Sequence, residues 1–321
     1  MRLASLLLCC LLPLVAFAQS REFPPDPEES RLVTDDLDLF WQAWDAAEGA
    51  GSAEARAAIF QQRYLDAGSP GLQAFTRLRI GDAGKLVSAI DKHPRYYASL
   101  RARMHGVEDR LPAIRDTLRR MKTLYPEAVF PDVYFLIGRM NSGGTLDSTG
   151  LLIGVDMYGR GGGAPLDELG AWHSAVVGEF ANLPYIVVHE WVHFQQKSGD
   201  GQATLLQAAI VEGVADFIGE LGAGRHINHH VHAWAEPRAA VLWDEFRARM
   251  HGTDYAGWLY DGADTDRDPN RPADLGYWMG YRIASAYYRR AGDKTAAIRD
   301  MLHIDDFDAF LEASGAEAEF R

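Results

Sequence analysis

Two histidines four residues apart, His189 and His193, enclose a glutamate in the stretch His189-Glu190-Trp191-Val192-His193. On a helix, residues four apart lie on one face a turn apart, so both imidazoles can bind one metal ion. Glu190 lies about 100° round the helix, where its carboxylate can reach a metal-bound water without being a ligand. The spacing alone also fits two structural histidines on an amphipathic helix, because so short a motif recurs by chance.

Two acidic residues further along, Glu212 and Asp216, favour the metal. They are four apart on one face of a predicted helix, among Ala, Ile, Val and Phe, where carboxylates are costly unless paired or metal-bound. Glu212 follows His193 by nineteen positions, which leaves room for the first helix to end near 199–201 and the chain to return antiparallel. Glu212 then completes a His2Glu set with water as fourth ligand, an open coordination typical of catalytic zinc. We expect Asp216 to accept the other ring N–H of His189.

The elements that must position these residues are mostly helical. Residues 35–125 carry apolar side chains at spacings of three and four, which predicts a helical N-terminal lobe. Strand character is confined to about Val129 to Tyr158, where two β-branched and aromatic runs flank a turn-rich segment containing Gly143-Gly144. Helical patterning resumes after Tyr158, and a last helical stretch begins near Leu275. We therefore predict an α+β fold, mostly α, with a helical N-terminal lobe, a small β-sheet beside the active-site helices and a helical C-terminal lobe.

The first residues indicate export. Arg2 precedes an apolar run from Leu3 to Phe17, which ends in the small-x-small pattern Ala16-Phe17-Ala18. This predicts a cleaved signal peptide over residues 1–18, because the apolar run is too short to span a bilayer comfortably; a retained anchor is the alternative. Residues 19–34, rich in proline and acidic side chains, predict an extended mature N-terminus. The protein would be periplasmic or secreted, with no integral membrane segment after cleavage.

Composition limits the chemistry and the partners. Both cysteines, Cys9 and Cys10, lie in the predicted signal peptide, so any zinc in the mature chain would be held by His, Glu and Asp. The formal net charge of -13 argues against nucleic acid or anionic lipid as a partner. About 300 residues suffice for a sizeable core in one domain or two close lobes. The oligomeric state stays open.

The motifs together resemble the gluzincin peptidases, which include thermolysin-like enzymes and zinc aminopeptidases, and in which HExxH is followed on a second helix by a Glu ligand and then an Asp. The signal peptide, HEWVHFQQ, EGVAD and a late Gly-Tyr-x-x-Gly-Tyr-Arg-Ile segment are similar to a bacterial family known as predicted zinc-dependent proteases. The resemblance covers about residues 130–310 and implies a zincin-like catalytic domain, which we assign to 126–321. The roles it implies are His189, His193 and Glu212 as Zn2+ ligands, Glu190 as general base and Asp216 as the acceptor that orients a ligand imidazole.

The resemblance also implies a mechanism. Zinc lowers the pKa of its bound water to about 7, and Glu190 would accept the water's proton and pass it to the leaving nitrogen. In gluzincins a Tyr or His beyond the Glu ligand usually stabilises the oxyanion. Tyr281 is the first candidate for that catalytic donor and Tyr277 the second, although an aromatic pair at helical spacing is also typical of core packing.

Three further segments bear on the site. A histidine cluster is a rival source of the oxyanion donor, or a second metal site, or a solvated polar connector; its members are His226, His229, His230 and His232. Residues 138–141 resemble the Gly-x-Met-Glu-Asn loop of zinc aminopeptidases, but the Glu that would hold a substrate amine is missing, which disfavours aminopeptidase activity. The strand-like run 150–159 is expected to offer its edge to an extended peptide, or to be simply a core strand.

We therefore predict an exported zinc metallohydrolase, a peptidase acting on a peptide or protein substrate. One alternative keeps the zinc but is a non-peptidase amidase of the cell envelope. Another is a helical envelope binding or assembly protein with structural zinc. The open fourth position and the presence of Glu190 disfavour the latter, because structural sites are usually closed by four protein ligands.

Overall fold

The computed structural model describes residues 23–197, 202–261, 268 and 270–321. Within these ranges the predicted class is confirmed, since the chain is mostly α-helical with one small mixed sheet. The described residues divide into two compact units: one within Arg21–Lys122 and Glu127–Phe194, the other within Thr123–Pro126 and Gln195–Arg321. The sequence-based boundary between 125 and 126 stays a prediction. The predicted signal peptide and the predicted helix end near 199–201 lie outside the described residues.

The first unit combines short helices with the sheet. Its helices, wholly or mainly, are α1 Asp35–Ala47, α2 Ala53–Phe60, α3 Pro70–Phe75, α4 Ala83–Lys92, α5 Pro94–Arg101, α6 His105–Glu108, α7 Leu111–Leu124, α8 Ala171–Val176 and α9 Leu183–Gln195. Three of these helices begin at a capping residue that the sequence supplies. The side chains of Ser52, Ser69 and Asp82 accept a backbone N–H at the starts of α2, α3 and α4. The predicted helical lobe is thus observed within this unit.

The sheet contains four strands in the order β1-β2-β4-β3. Their bounds are β1 Leu32–Val33, β2 Val133–Leu136, β3 Gly144–Asp147 and β4 Gly150–Gly154. β2 pairs in parallel with β1 and β4, and β3 returns antiparallel to β4 as a hairpin. β2 and β4 are buried along their whole length, which explains their continuous apolar runs.

The sheet corrects the sequence interpretation at two points. The expectation that the run 150–159 would offer an edge to a peptide is wrong, because β4 is paired on both sides, by β2 and by β3. The terminal strand next to β4 is β3, which lies in the segment predicted to be turn-rich. Its glycine, threonine and aspartate residues hid its strand character.

The N-terminal segment predicted to be extended over residues 19–34 contributes a strand to the sheet. Its described part is attached to the sheet, because Leu32 and Val33 pair with β2. The guanidinium of Arg31 also donates to the Asp132 carboxylate, at 2.6 Å from Nη2 and 3.0 Å from Nε. The proline-rich composition signalled the absence of helix but not this pairing.

The second unit is helical in its described part. Its helices are α10 Leu205–Ala223, α11 His229–Ala235, α12 Ala239–Arg247, α13 Leu275–Arg290, α14 Lys294–Leu302, α15 Phe307–Ser314 and α16 Glu317–Phe320. α10 begins with a capping box between Thr204 and Gln207 and ends at Gly224, whose φ of 73° closes the helix. Throughout the chain's described ranges, no helix combines the length and apolar character needed to cross a membrane.

Helices α10 and α13 cross at two glycines. A Cβ placed on Gly280 would lie 1.7 Å from the carbonyl oxygen of Ala209, and one on Gly213 would lie 2.1 Å from the carbonyl carbon of Gly280. The two backbones therefore approach as closely as they do only because both positions lack a side chain. Gly213 directly follows Glu212, so this crossing fixes the backbone that carries the predicted metal ligand.

We expect Gly280→Ala to lower the free energy of unfolding by about 1–3 kcal/mol or more, because the added methyl group forces the two helices apart. Gly292→Ala is the matched control, since a Cβ there meets no atom within 4 Å. Urea unfolding of both variants measures the difference. Equal stability of the two variants would contradict the close crossing.

Candidate metal centre

The motif helix α9 begins at Leu183, directly after a 3-10 turn over Phe180–Asn182. Pro184 lies in its first turn, where a missing N–H costs little. Trp191, in the middle of the motif, is fully buried, and its indole N–H donates to the carbonyl of Val129 at 2.9 Å. This contact attaches the motif helix to the chain that leads into β2.

The two motif histidines present their ring nitrogens to each other. Nε2 of His189 lies 3.1 Å from Nε2 of His193, and the rings are nearly perpendicular at 85°. Two nitrogens bound tetrahedrally to one zinc ion, each at roughly 2.0–2.1 Å, lie about 3.3 Å apart. The observed separation is therefore close to the one that a shared zinc ion requires.

Glu190 lies against the start of the terminal strand β3. A Cβ on Gly144 would lie 2.2 Å from Oε1 of Glu190, so the absence of a side chain at 144 leaves the space that this carboxylate fills. The neighbouring Gly143 lies against the hydroxyl of Tyr158 in the same way. Burial is the main cause that raises the pKa of Tyr158, and the negative charge of Glu190 raises it further. The phenol of Tyr158 therefore stays protonated. The Gly143-Gly144 pair, read from the sequence only as a turn, shapes the surroundings of the predicted base.

The predicted carboxylates lie on α10 and are both buried. Glu212 is 9% exposed and accepts a hydrogen bond from the hydroxyl of Tyr260 at 2.6 Å. Asp216 is 2% exposed and accepts a hydrogen bond from the side-chain amide of Asn228 at 2.7 Å. The predicted bond from His189 to Asp216 stays a prediction.

The three predicted donors come together. One ligand atom from each of His189, His193 and Glu212 lies within 4.8 Å of the other two. Among the residues that the structure describes, this is the one group of three or more His, Cys, Asp or Glu side chains spaced closely enough to hold a metal ion. Two imidazole nitrogens and one carboxylate are a donor set that suits zinc, so the residues present fit the predicted ion.

The structure gives the two candidate oxyanion donors other contacts. The hydroxyl of Tyr281 donates to Oε2 of Glu220 at 2.5 Å, and its ring packs edge-on against Phe217. Burial raises the pKa of Tyr277, and the charge of Glu212 raises it further. The catalytic roles assigned to both tyrosines stay predictions.

Tyr260 is the residue that sequence reasoning missed, although it contacts a predicted ligand. It lies 48 positions after Glu212, outside any motif. Its φ of 59° is a backbone signal that no sequence pattern reveals.

The histidine cluster is more ordered than a solvated connector. The ring of His226 is buried and its centroid lies 4.0 Å from that of His229 and 4.5 Å from that of His232. Burial lowers the pKa of His226 and lowers that of His232 to about 4, so both rings are neutral at pH 7. The prediction of a solvated connector is therefore wrong for these two rings, because they pack on Tyr281, whose centroid is 4.7 Å from that of His232.

The side chain of Asp156 binds the backbone of the loop over residues 138–141. This buried carboxylate accepts the backbone N–H of Gly138 at 2.9 Å and that of Met140 at 2.6 Å. Burial raises the pKa of Asp156 to about 6. Met140 has a φ of 57°, and its carbonyl lies 2.9 Å from Nε2 of His173. The loop is thus built by backbone contacts and carries no carboxylate of its own at the position where aminopeptidases hold an amine.

A family model matches the part of the chain that carries the three donors. Residues 155–305 match the model of a family described as "Predicted Zn-dependent protease (DUF2268)". This confirms the resemblance inferred from the motifs, and the matched segment contains all three donors and Glu190. No curated protein matches the chain significantly. No solved structure does so either.

We expect the purified protein to bind one zinc ion per chain, and His193→Ala to weaken that binding by at least about 100-fold, because one of three protein donors is lost. Competition with a chromophoric chelator measures the affinity. His105→Ala is the control, since its imidazole is exposed and lies outside the donor group. Equal zinc affinity of both variants would contradict the assigned centre.

Proposed function

We propose that this protein is an exported zinc-dependent metallopeptidase that cleaves a peptide or protein substrate. The observation that carries the proposal is the group of two imidazoles and one carboxylate within 4.8 Å, in a segment matched by a predicted Zn-dependent protease family. Zinc bound there would polarise a substrate carbonyl and lower the pKa of a coordinated water to about 7.

The chain's own residues would supply the remaining chemistry. His189, His193 and Glu212 would hold the ion as a set of three protein donors. Glu190, between the two histidines on α9, accepts the water's proton at its carboxylate and delivers it to the leaving nitrogen. Gly144 at the start of β3 has no side chain, which leaves room for that carboxylate.

Strand β3 supports a peptide substrate over a small amide. It is one of the two terminal strands of the described sheet, and it starts at Gly144, directly beside Glu190. An extended peptide that pairs with the outer side of β3 would place its backbone along the base, and the main-chain hydrogen bonds would be largely independent of substrate sequence. The non-peptidase amidase is the alternative, and the missing amine-binding Glu continues to disfavour an aminopeptidase.

We expect Glu190→Gln to lower the rate of peptide cleavage by roughly 10²- to 10⁴-fold while the zinc content stays unchanged, because the amide cannot accept the proton. Digestion of a peptide library, followed by mass spectrometry, measures the rate. Glu179→Gln is the control, since this exposed glutamate lies in the same compact unit and precedes α9. A wild-type protein that binds zinc and cleaves cell-wall amides but no peptide supports the amidase instead. Full activity of Glu190→Gln contradicts the mechanism.

Export is the part of the proposal supported by the first eighteen residues alone. The apolar run from Leu3 to Phe17 and the Ala-x-Ala end support cleavage after Ala18. Mass spectrometry of the protein recovered from the producing cells' envelope or medium is expected to find a chain that begins at Gln19. Recovery of the chain with residues 1–18 still attached, in the cell interior, would contradict export.

A further inference from the structure

The buried carboxylate of Glu212 receives a hydrogen bond from Tyr260. The phenolic hydroxyl donates to Oε1 at 2.6 Å, and Glu212 is 9% exposed. A carboxylate with one oxygen bound by a donor keeps lone pairs on the other oxygen for a metal. Hydrogen bonds of this kind orient ligands and tune the metal they hold.

Tyr260 is held in a backbone conformation that a bulky side chain avoids. Its φ is 59°, in the left-handed region, which residues with large side chains rarely adopt because it strains the backbone. Such a conformation persists only where the surrounding contacts enforce it. Here the backbone N–H of Tyr260 donates to Oδ1 of Asp274 at 2.6 Å.

Asp274 is itself held in the same unusual region, with a φ of 61°. Its backbone N–H donates to Oδ1 of Asp261 at 2.9 Å. The N–H of Gly276, in the first turn of α13, donates to the carbonyl of Trp258 at 2.7 Å. The segment 258–261 is therefore bound at several points to the residues that start α13.

These contacts link Glu212 to α13 in two ways, through the helix crossing and through Tyr260. α13 is held against α10 by the crossing of Gly280 on Gly213, which is adjacent to Glu212. The start of α13 holds Tyr260 through Asp274, and Tyr260 returns to Glu212 through its hydroxyl. A hydrogen bond that served only to satisfy a buried carboxylate would not require a tyrosine with a strained backbone. The enforced conformation indicates that the direction of this bond matters.

We propose that Tyr260 is a positioning residue of the metal centre, which holds one oxygen of Glu212 so that the other is oriented as a metal ligand. The inference rests on the proposed zinc centre and adds a residue to it. Tyr260 acts through Glu212, and its removal changes how tightly and in which geometry the metal is held.

The test compares Tyr260→Phe with Tyr255→Phe. The Tyr255 hydroxyl also donates a hydrogen bond, at 2.6 Å to the carbonyl of Ala203, and its ring lies 6.1 Å from that of Tyr260, but that bond goes to a backbone carbonyl. We expect Tyr260→Phe to weaken zinc binding by roughly 10- to 100-fold and to change the visible absorption spectrum of the cobalt-substituted protein. Tyr255→Phe is expected to change neither, while circular dichroism shows both variants folded.

A second variant keeps the test decisive if Tyr260→Phe does not fold. Glycine adopts a positive φ without strain, so Tyr260→Gly removes the hydroxyl and suits the observed backbone. It is expected to show the same loss of zinc affinity. Wild-type zinc affinity in a folded Tyr260→Phe or Tyr260→Gly protein overturns the inference and leaves the zinc centre standing. Failure of the unmodified protein to bind zinc overturns the proposed function instead.

Discussion

The metal centre and its surroundings depend on one constraint, which is a carboxylate buried on an apolar helix. Helix α10 is buried on nearly all sides, and Glu212 lies within it at 9% exposure. A charge in such surroundings costs several kcal/mol unless hydrogen bonds or a metal compensate for it. The neighbouring Gly213 brings α13 against α10, and the start of α13 holds the tyrosine that binds Glu212. The contacts that surround Glu212 thus join α10, the start of α13 and Tyr260.

A glycine makes room for the side chain of Glu190, the proposed base. Gly144 opens the space that the Glu190 carboxylate occupies beside β3. β3 is a terminal strand of the described sheet, so Glu190 lies beside a sheet edge. In the proposed peptidase, the proton acceptor would therefore lie beside an edge that an extended peptide can pair with.

The sequence predicted the parts of the site whose geometry is local. A helical spacing of four relates His189 to His193 and Glu212 to Asp216, and the apolar surroundings of the two carboxylates indicate that the second pair belongs to the same site. Tyr260 could not be found in this way, because its contacts with Asp274 and Glu212 depend on tertiary packing. β3 was missed because its residues favour turns, and its pairing with β4 is what makes it a strand.

The ligands of a bound zinc ion decide whether these residues form the metal centre. X-ray absorption at the zinc edge counts the imidazoles around the metal and separates them from oxygen ligands. We expect two imidazole nitrogens, with the remaining ligands oxygen, as His189, His193 and Glu212 require. Three or more imidazoles would contradict this expectation, since zinc would then be held by the cluster of His226, His229 and His232.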